Sequence, residues 1–388
     1  MRLLEKWRNW RRYFYLVPWC VPPWGWPELR ATCRSIATGK IVSGEAVDAA
    51  VNAIREYSGV PYVVPFNRGR TAIEVGLRAM GISAGDDVVV PAYVCETVLE
   101  GVLRAGATPV FADVGPDLNV TVATVQAAIT PKTKCLIVPH LFGVPAHIPE
   151  IEKMVQGTGI KLMDDAAQAF GTKLAERPLG TFGDCGIISC GPGKPLVGAA
   201  GGFLLTSDEQ LYHHAMAVPL PRERRATVAR RILRFWIERR LRKFSLPFLL
   251  LFPKRWQLEE ESHAAATLSN VDAAIMLEQL QSLEQRLVQR RENASSLMRQ
   301  LADIPGTWIQ VLGERDATVK LVVVLPATGP STNNMLALLA ERGVECQAGY
   351  VPLHLKTLQR STRVPYTDSV WARVFCIPVE ITPHGLRR

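Results

Sequence analysis

Between residues 47 and 164 the chain alternates short apolar runs with helix-spaced stretches, and no other feature restricts the fold as much. Residues 70–80 carry helical spacing, the turn Ser-Ala-Gly-Asp-Asp follows, and 87–91 reads as a strand. Helix-like 96–105, 120–129 and 148–156 each precede an apolar strand, at 108–114, 133–139 and 161–164 in turn. Strands separated by helices cannot close as hairpins. The helix is a crossover, so neighbouring strands run parallel. The expected fold class is therefore α/β, a mainly parallel sheet flanked by helices. Ligands of such sheets sit outside the carboxyl ends of the strands. Tyr93, His140, Asp164, Asp165, Gln168, Ser189 and Lys194 all fall there.

Lys194 lies in ISCGPGKPLVGAAGGFLL, residues 188–205. A Gly-Pro-Gly-Lys-Pro run fits neither a helix interior nor a central strand, because proline lacks the N–H and glycine resists ordering. It reads as a stiff loop between strands at 185–189 and 202–206, which is no ordinary setting for a surface lysine. Residues 226–244 read as a basic amphipathic helix with Val228, Ile232, Phe235, Trp236 and Leu241 on one face. Apolar spacing predicts one long helix over 270–301. The stretch 307–378, with a strand near 319–325 and a helix near 332–342, reads as a smaller α+β unit. The expected organisation is an aromatic and basic arm (1–40), a large domain (41–255) with a basic insertion at 221–255, and a small domain (256–388).

The chain has 388 residues, 48% of them apolar, enough for a sizeable core. No apolar run reaches the roughly 18 residues that cross a bilayer, and no secretory leader is evident. The eight cysteines show no paired or metal-ligand spacing, so neither a disulfide framework nor a zinc site is indicated, and the expectation is a cytoplasmic protein with reduced thiols. Net charge is +9, and residues 221–255 alone hold twelve lysines and arginines against two glutamates. The aromatic and aliphatic side of that segment argues against a nucleic-acid groove. Together with the arm MRLLEKWRNWRRYFYLVPW it raises a peripheral contact with the inner membrane as an alternative to packing on the body or a second subunit.

Four segments in order resemble one family. They are NRGRTAIEVGLRAMGISAGDDVVVPAYV (67–94), GATPVFADV (106–114), DDAAQAFGTK (164–173) and SCGPGKPLVGAAGG (189–202). SNVDAAIMLEQLQSLEQRLVQRR and YVPLH (350–354) add later landmarks. In these the chain is similar to the DegT/DnrJ/StrS-type sugar aminotransferases, enzymes of pyridoxal phosphate with the type I, aspartate-aminotransferase fold. The resemblance implies that Lys194 condenses with the cofactor aldehyde and shuttles protons. It implies that Asp165, with Asp164 as rival, faces the pyridine nitrogen and that Gln168 lies beside the cofactor. Ser189 and the helix opening at Gly69, Arg70 and Thr71 are implied to hold the phosphate. His140, Tyr350 and His354 are candidates near the substrate. No metal is implied.

Three positions depart from the family pattern. Cys95 stands where a ring-stacking aromatic is usual, and Tyr93 is an alternative for that role. Arg70 replaces a threonine. Ala265 replaces an asparagine that reaches the neighbouring subunit. The resemblance implies a homodimer that transfers an amino group, from glutamate, to a keto-sugar nucleotide or related keto substrate of polysaccharide, envelope or secondary-metabolite synthesis. The alternatives are a membrane-associated protein of envelope modification and a non-catalytic regulator on the same fold.

Overall fold

The computed structural model describes residues 23–243, 264–301, 307–309, 312–313, 316–357 and 363–380. The start of the aromatic arm and the apolar run near 245–253 lie outside this set. In chain order the strands are β1 (Tyr62–Phe66), β2 (Asp87–Pro91), β3 (Thr108–Ala112), β4 (Thr133–Pro139), β5 (Lys161–Asp165), the hairpin β6 (Lys173–Leu174) and β7 (Arg177–Pro178), β8 (Cys185–Ser189) and β9 (Gly202–Thr206). The helices are α1 (Trp26–Ala37), α2 (Ala46–Ser58), α3 (Gly69–Ala79), α4 (Glu96–Ala105), α5 (Val122–Ala128), α6 (Ile148–Val155), α7 (Glu209–Ala217), α8 (Arg225–Lys243), α9 (Asn270–Gln281) and α10 (Leu283–Leu301).

Seven strands form one sheet in the order β1-β9-β8-β5-β4-β2-β3. Helices α4, α5 and α6 carry the chain from β2 through β3 and β4 to β5, and all the resulting pairings are parallel. β8 continues the parallel set beside β5. β9 alone runs against its neighbours, because residues 190–201 contain no crossover helix. The expected α/β class is thus the observed one. The apolar runs of the strands are continuous because both faces are covered. Val88 and Val90 pack under α3 and α4, while Val89, Leu136 and Val138 pack under α5 and α6.

A second sheet, β10 (Trp308–Ile309), β11 (Lys320–Val324), β13 (Val374–Pro378) and β12 (Gln347–Ala348) in that order, is antiparallel throughout. Helix α10 and the helix α11 (Thr332–Glu341) cover one of its faces.

Residues 270–301 are two helices, not one. The break falls at Ser282, whose φ of −109° and ψ of 7° leave the helical region. The reset turns Leu283 and Leu287 into the core with Phe170 and Leu196. Apolar spacing cannot reveal this, because both halves keep the period on either side of one residue. β1, just ahead of the helix that opens at Gly69, contains Pro65. It is an edge strand, where proline is tolerated.

The face expected on the basic helix exists but is spent internally. Val228 and Ile232 are buried with Trp24, Ile41, Val271 and Ile275, and Phe235 and Trp236 pack on that cluster. The Trp24 ring lies 5.3 Å from Phe235 and 5.3 Å from Trp236, and its indole N–H donates to the Val197 carbonyl at 2.9 Å. The described part of the arm therefore packs on the body. The Leu241 side chain lies outside the described set. Trp24→Ala is expected to lower the unfolding free energy by about 3–5 kcal/mol, since it empties a buried aromatic site. Urea denaturation checks this, and a loss under about 1 kcal/mol would place Trp24 outside the core.

Candidate active site

A cavity of about 200 Å³ opens at the carboxyl edge of the main sheet, lined by Arg68, Gly69, Arg70, Cys95, Asp165, Gln168, Ser189 and Lys194 among others. Seven of these are sites expected from sequence. Strand geometry brings them together. β5 delivers Asp165 opposite Ile187 of β8, β8 ends on Ser189, and the loop from β8 to β9 carries Lys194.

That loop is closed on itself and held from outside. The Cys190 amide donates to the Gly201 carbonyl at 2.9 Å, and the Gly198 amide to the Cys190 carbonyl at 2.8 Å. Gly193 sits at φ 72°, a conformation that favours glycine. The Asp272 carboxylate accepts from the Ala199 and Ala200 amides, each at 3.1 Å. Its other oxygen accepts from Ser269 and from Arg231 of the basic helix. Arg231 also makes a two-pronged pair with Glu223 at 2.8 and 2.9 Å. Burial alone would loosen the Arg231 proton, but Asp272 and Glu223 outweigh it and raise its pKa.

The two adjacent aspartates divide the work. Asp164 is fully enclosed. One of its oxygens takes a 2.7 Å bond from the His140 ring, and the other accepts from the Gly180 amide at 2.6 Å and the Phe182 amide at 3.0 Å. The second His140 ring nitrogen accepts from the Ala146 amide at 2.9 Å. This leaves the Nε2 proton on the Asp164 side. His140 is buried, is not among the residues that line this cavity, and ties Asp164 to the chain after β4. Asp165 does line the cavity. One of its oxygens accepts from the Ala167 amide at 3.0 Å. Burial pushes the Asp165 carboxyl up, and the Ala167 amide and the Lys194 charge only partly offset this.

Helix α3 starts at the cavity with no side-chain cap on its first turn, and Ser189 packs against it. A Cβ at Gly69 would stand 2.9 Å from the Ser189 Cβ, and one at Gly202 would stand 2.5 Å from the Gly69 nitrogen. Only glycine lets these backbones meet. An uncapped helix N-terminus with a serine beside it suits a phosphate. Thr71 is buried and donates to Asn67, whose amide group ties down residues 264–266, the neighbourhood of Ala265. Arg70 lines the cavity but forms an ion pair with Glu100 of α4. Arg68 was not anticipated from sequence. Its signal is a basic residue directly before the helix-opening glycine, and burial lowers its pKa.

Cys95, not Tyr93, faces the cavity. Tyr93 is fully buried and points to the second sheet, where its hydroxyl accepts from the Tyr350 amide at 3.2 Å. The Tyr350 ring stacks on Phe142 at 5.6 Å. The Gln168 side-chain oxygen accepts from the Phe142 amide at 3.3 Å, so Phe142, on which Tyr350 stacks, also steadies Gln168. His354 is buried, pairs with Asp368 at 3.0 Å and is not among the residues that line this cavity.

A mainly parallel sheet with a lysine loop and a buried carboxylate at its carboxyl edge is a build that suits a pyridoxal-phosphate enzyme. Residues 27–383 match the model of the DegT/DnrJ/EryC1/StrS aminotransferase family, and the chain belongs to that family, whose members depend on pyridoxal phosphate. The chain is 42% identical over 171 residues to a UDP-N-acetyl-3-dehydro-α-D-glucosamine 3-aminotransferase of Acidithiobacillus ferrooxidans, an alignment covering 43% of this chain and 45% of that protein. It is 30% identical to an L-glutamine:2-deoxy-scyllo-inosose aminotransferase of Streptomyces fradiae, covering 81% of this chain and 72% of that one. Among solved structures, an aminotransferase of Streptoalloteichus hindustanus superposes with a TM-score of 0.78 at 25% identity, covering 95% of each chain.

Burial of Asp165 has a stability consequence. A carboxyl whose folded pKa is raised is least costly when protonated, so its stabilisation is present at low pH and lost as pH rises through the folded value. In cofactor-free protein, Asp165→Asn is expected to be more stable than wild type at pH 7. The gap should close as pH falls below the ordinary carboxylate range. Urea midpoints across pH check this, and a pH-independent gap would contradict it.

Proposed function

We propose that this protein transfers an amino group from an amino-acid donor to a keto-sugar nucleotide or closely related keto-cyclitol, using pyridoxal phosphate held in this cavity. The observation that carries the reading is the convergence of Lys194, Asp165 and Ser189 with the open end of α3 on one cavity. The bound cofactor supplies an electron sink that acidifies the Cα–H of the donor. The Lys194 Nζ removes that proton and returns one at the acceptor carbon. Asp165 sets a negative charge opposite the ring nitrogen. Ser189 and the amides of Gly69, Arg70 and Thr71 would hold the phosphate, and the Cys95 thiol would face the ring. Gln168 would position the ring edge, with the Phe142 amide fixing Gln168. The substrate class is supported by the names of the relatives, one acting on a UDP-linked keto-sugar and one on a keto-cyclitol. L-Glutamate is the proposed donor, and L-glutamine, named for the second relative, is the comparison.

The working unit is proposed to be a homodimer in the cytoplasm, which light scattering of the purified protein measures. Contact of the basic segment with a membrane is the alternative. The internal use of Val228, Ile232, Phe235 and Trp236 weighs against it. No helix among the described residues is long and apolar enough to cross a bilayer. Flotation with anionic liposomes at low salt decides between the two.

Wild type supplied with pyridoxal phosphate is expected to show a bound-cofactor band at the edge of the visible range. Lys194→Ala is expected to lose that band and all turnover. Asp165→Asn is expected to keep the covalent link while losing at least about 100-fold in kcat, the usual cost of removing a charge aimed at the reacting system. Wild type with no bound cofactor after reconstitution would overturn the reading.

A further inference from the structure

The Lys194 loop meets helix α10 through two arginines one helical turn apart. The Arg290 Nη2 donates to the Lys194 carbonyl at 3.1 Å and to Glu380 at 2.7 Å. The Arg286 Nη1 donates to the Pro195 carbonyl at 3.1 Å, and its Nη2 to the Gln279 carbonyl at 2.7 Å. Arg290 is 3% exposed. Residues spaced i and i+4 share a helix face, and the break at Ser282 lets α10 take its own direction toward the loop. Two cationic side chains thus end on consecutive carbonyls, one of them the carbonyl of the cavity lysine.

An ion pair that served only the fold would have no need of that peptide. Arg290 already has Glu380, and Asn293 of the same helix already fastens the chain end beyond β13 by donating to the Val379 carbonyl at 2.8 Å. The bonds to Lys194 and Pro195 act on the loop itself. Trp24 and Asp272 fix Val197, Ala199 and Ala200, the later half of the loop. The arginines supply the hold on its first half, where Gly191, Pro192 and Gly193 precede the lysine. Charge-assisted hydrogen bonds are the strong ones, and a buried pair of them fixes a peptide plane.

We infer that Arg286 and Arg290 are positioning residues for Lys194, fixing the peptide from which its side chain reaches the cavity. This deepens the reading of Lys194 as the cofactor lysine and rests on it. Glu380 belongs to the fold and not to this function.

The test uses full-length protein saturated with pyridoxal phosphate and reads three quantities. They are the rate of borohydride-trapped labelling of the Lys194 peptide by mass spectrometry, the visible circular dichroism of the bound cofactor, and kcat with KM for L-glutamate. Arg290→Met has similar length but no donor. It is expected to slow labelling and lower kcat by about 10- to 100-fold, the cost of a misplaced reacting group, with KM changed less than about twofold and the dichroism reduced. Arg290→Lys restores a donor and should recover most of the loss. Glu380→Gln breaks the ion pair but leaves the Lys194 bond, so it should lower stability and leave the cofactor readouts near wild type. If Arg290→Met does not accumulate folded, Arg286→Gln carries the same expectations through Pro195. Equal effects of Glu380→Gln and Arg290→Met, or wild-type readouts in the arginine variants, would overturn the positioning role while Lys194 keeps its label. Wild type labelled at another lysine would overturn both this role and the reading beneath it.

Discussion

The Asp272 carboxylate has no solvent and four donors: the Ala199 and Ala200 amides, the Ser269 hydroxyl and the Arg231 guanidinium. Remove this acceptor and the later half of the lysine loop, the start of α9 and the middle of α8 lose their common point. A buried ion pair of this kind contributes little net stability, because desolvation offsets most of the attraction. What it supplies is a single arrangement. Any other path of residues 199–201 would strand a charge or two amides away from water.

The same logic explains why the basic segment has so many arginines and yet behaves as part of the body. One of them, Arg231, is enclosed and neutralised by Glu223 and Asp272, while the aliphatic and aromatic residues of α8 sit against Trp24. The helix is a brace from the N-terminal region to the lysine loop. Its exposed arginines follow from having a polar outer face. The site therefore hangs from both flanks. Trp24 and Asp272, the latter paired with Arg231, hold the later half of its loop, and Arg286 and Arg290 hold the first half.

Below the loop, neighbouring aspartates of β5 take opposite roles because successive strand residues point to opposite faces. Asp164 turns to His140 and the Gly180 and Phe182 amides and is fully saturated. Asp165 turns into the cavity, keeps only the Ala167 amide among the bonds described, and is left with a raised pKa. A carboxylate placed at such cost in the cofactor-free protein is suited to meet a cation there.

The sequence by itself determined the α/β alternation, the strand ends and the stiffness of the lysine loop, because these rest on local periodicity and on proline and glycine chemistry. It also pointed to Lys194, Asp165, Gln168 and Ser189, which strand ends gather at one edge of any such sheet. Only the tertiary structure decided which aspartate faces the cavity, that Cys95 rather than Tyr93 lines it, that His140 and His354 stand back from it, and that 270–301 is two helices. It alone showed Arg68 at the cavity and Arg290 on the Lys194 carbonyl. Those outcomes depend on partners far apart in the chain, 73 residues for Ala199 and Asp272 and 96 for Lys194 and Arg290. Local spacing carries no information about a hydrogen bond that exists only once two distant elements have packed.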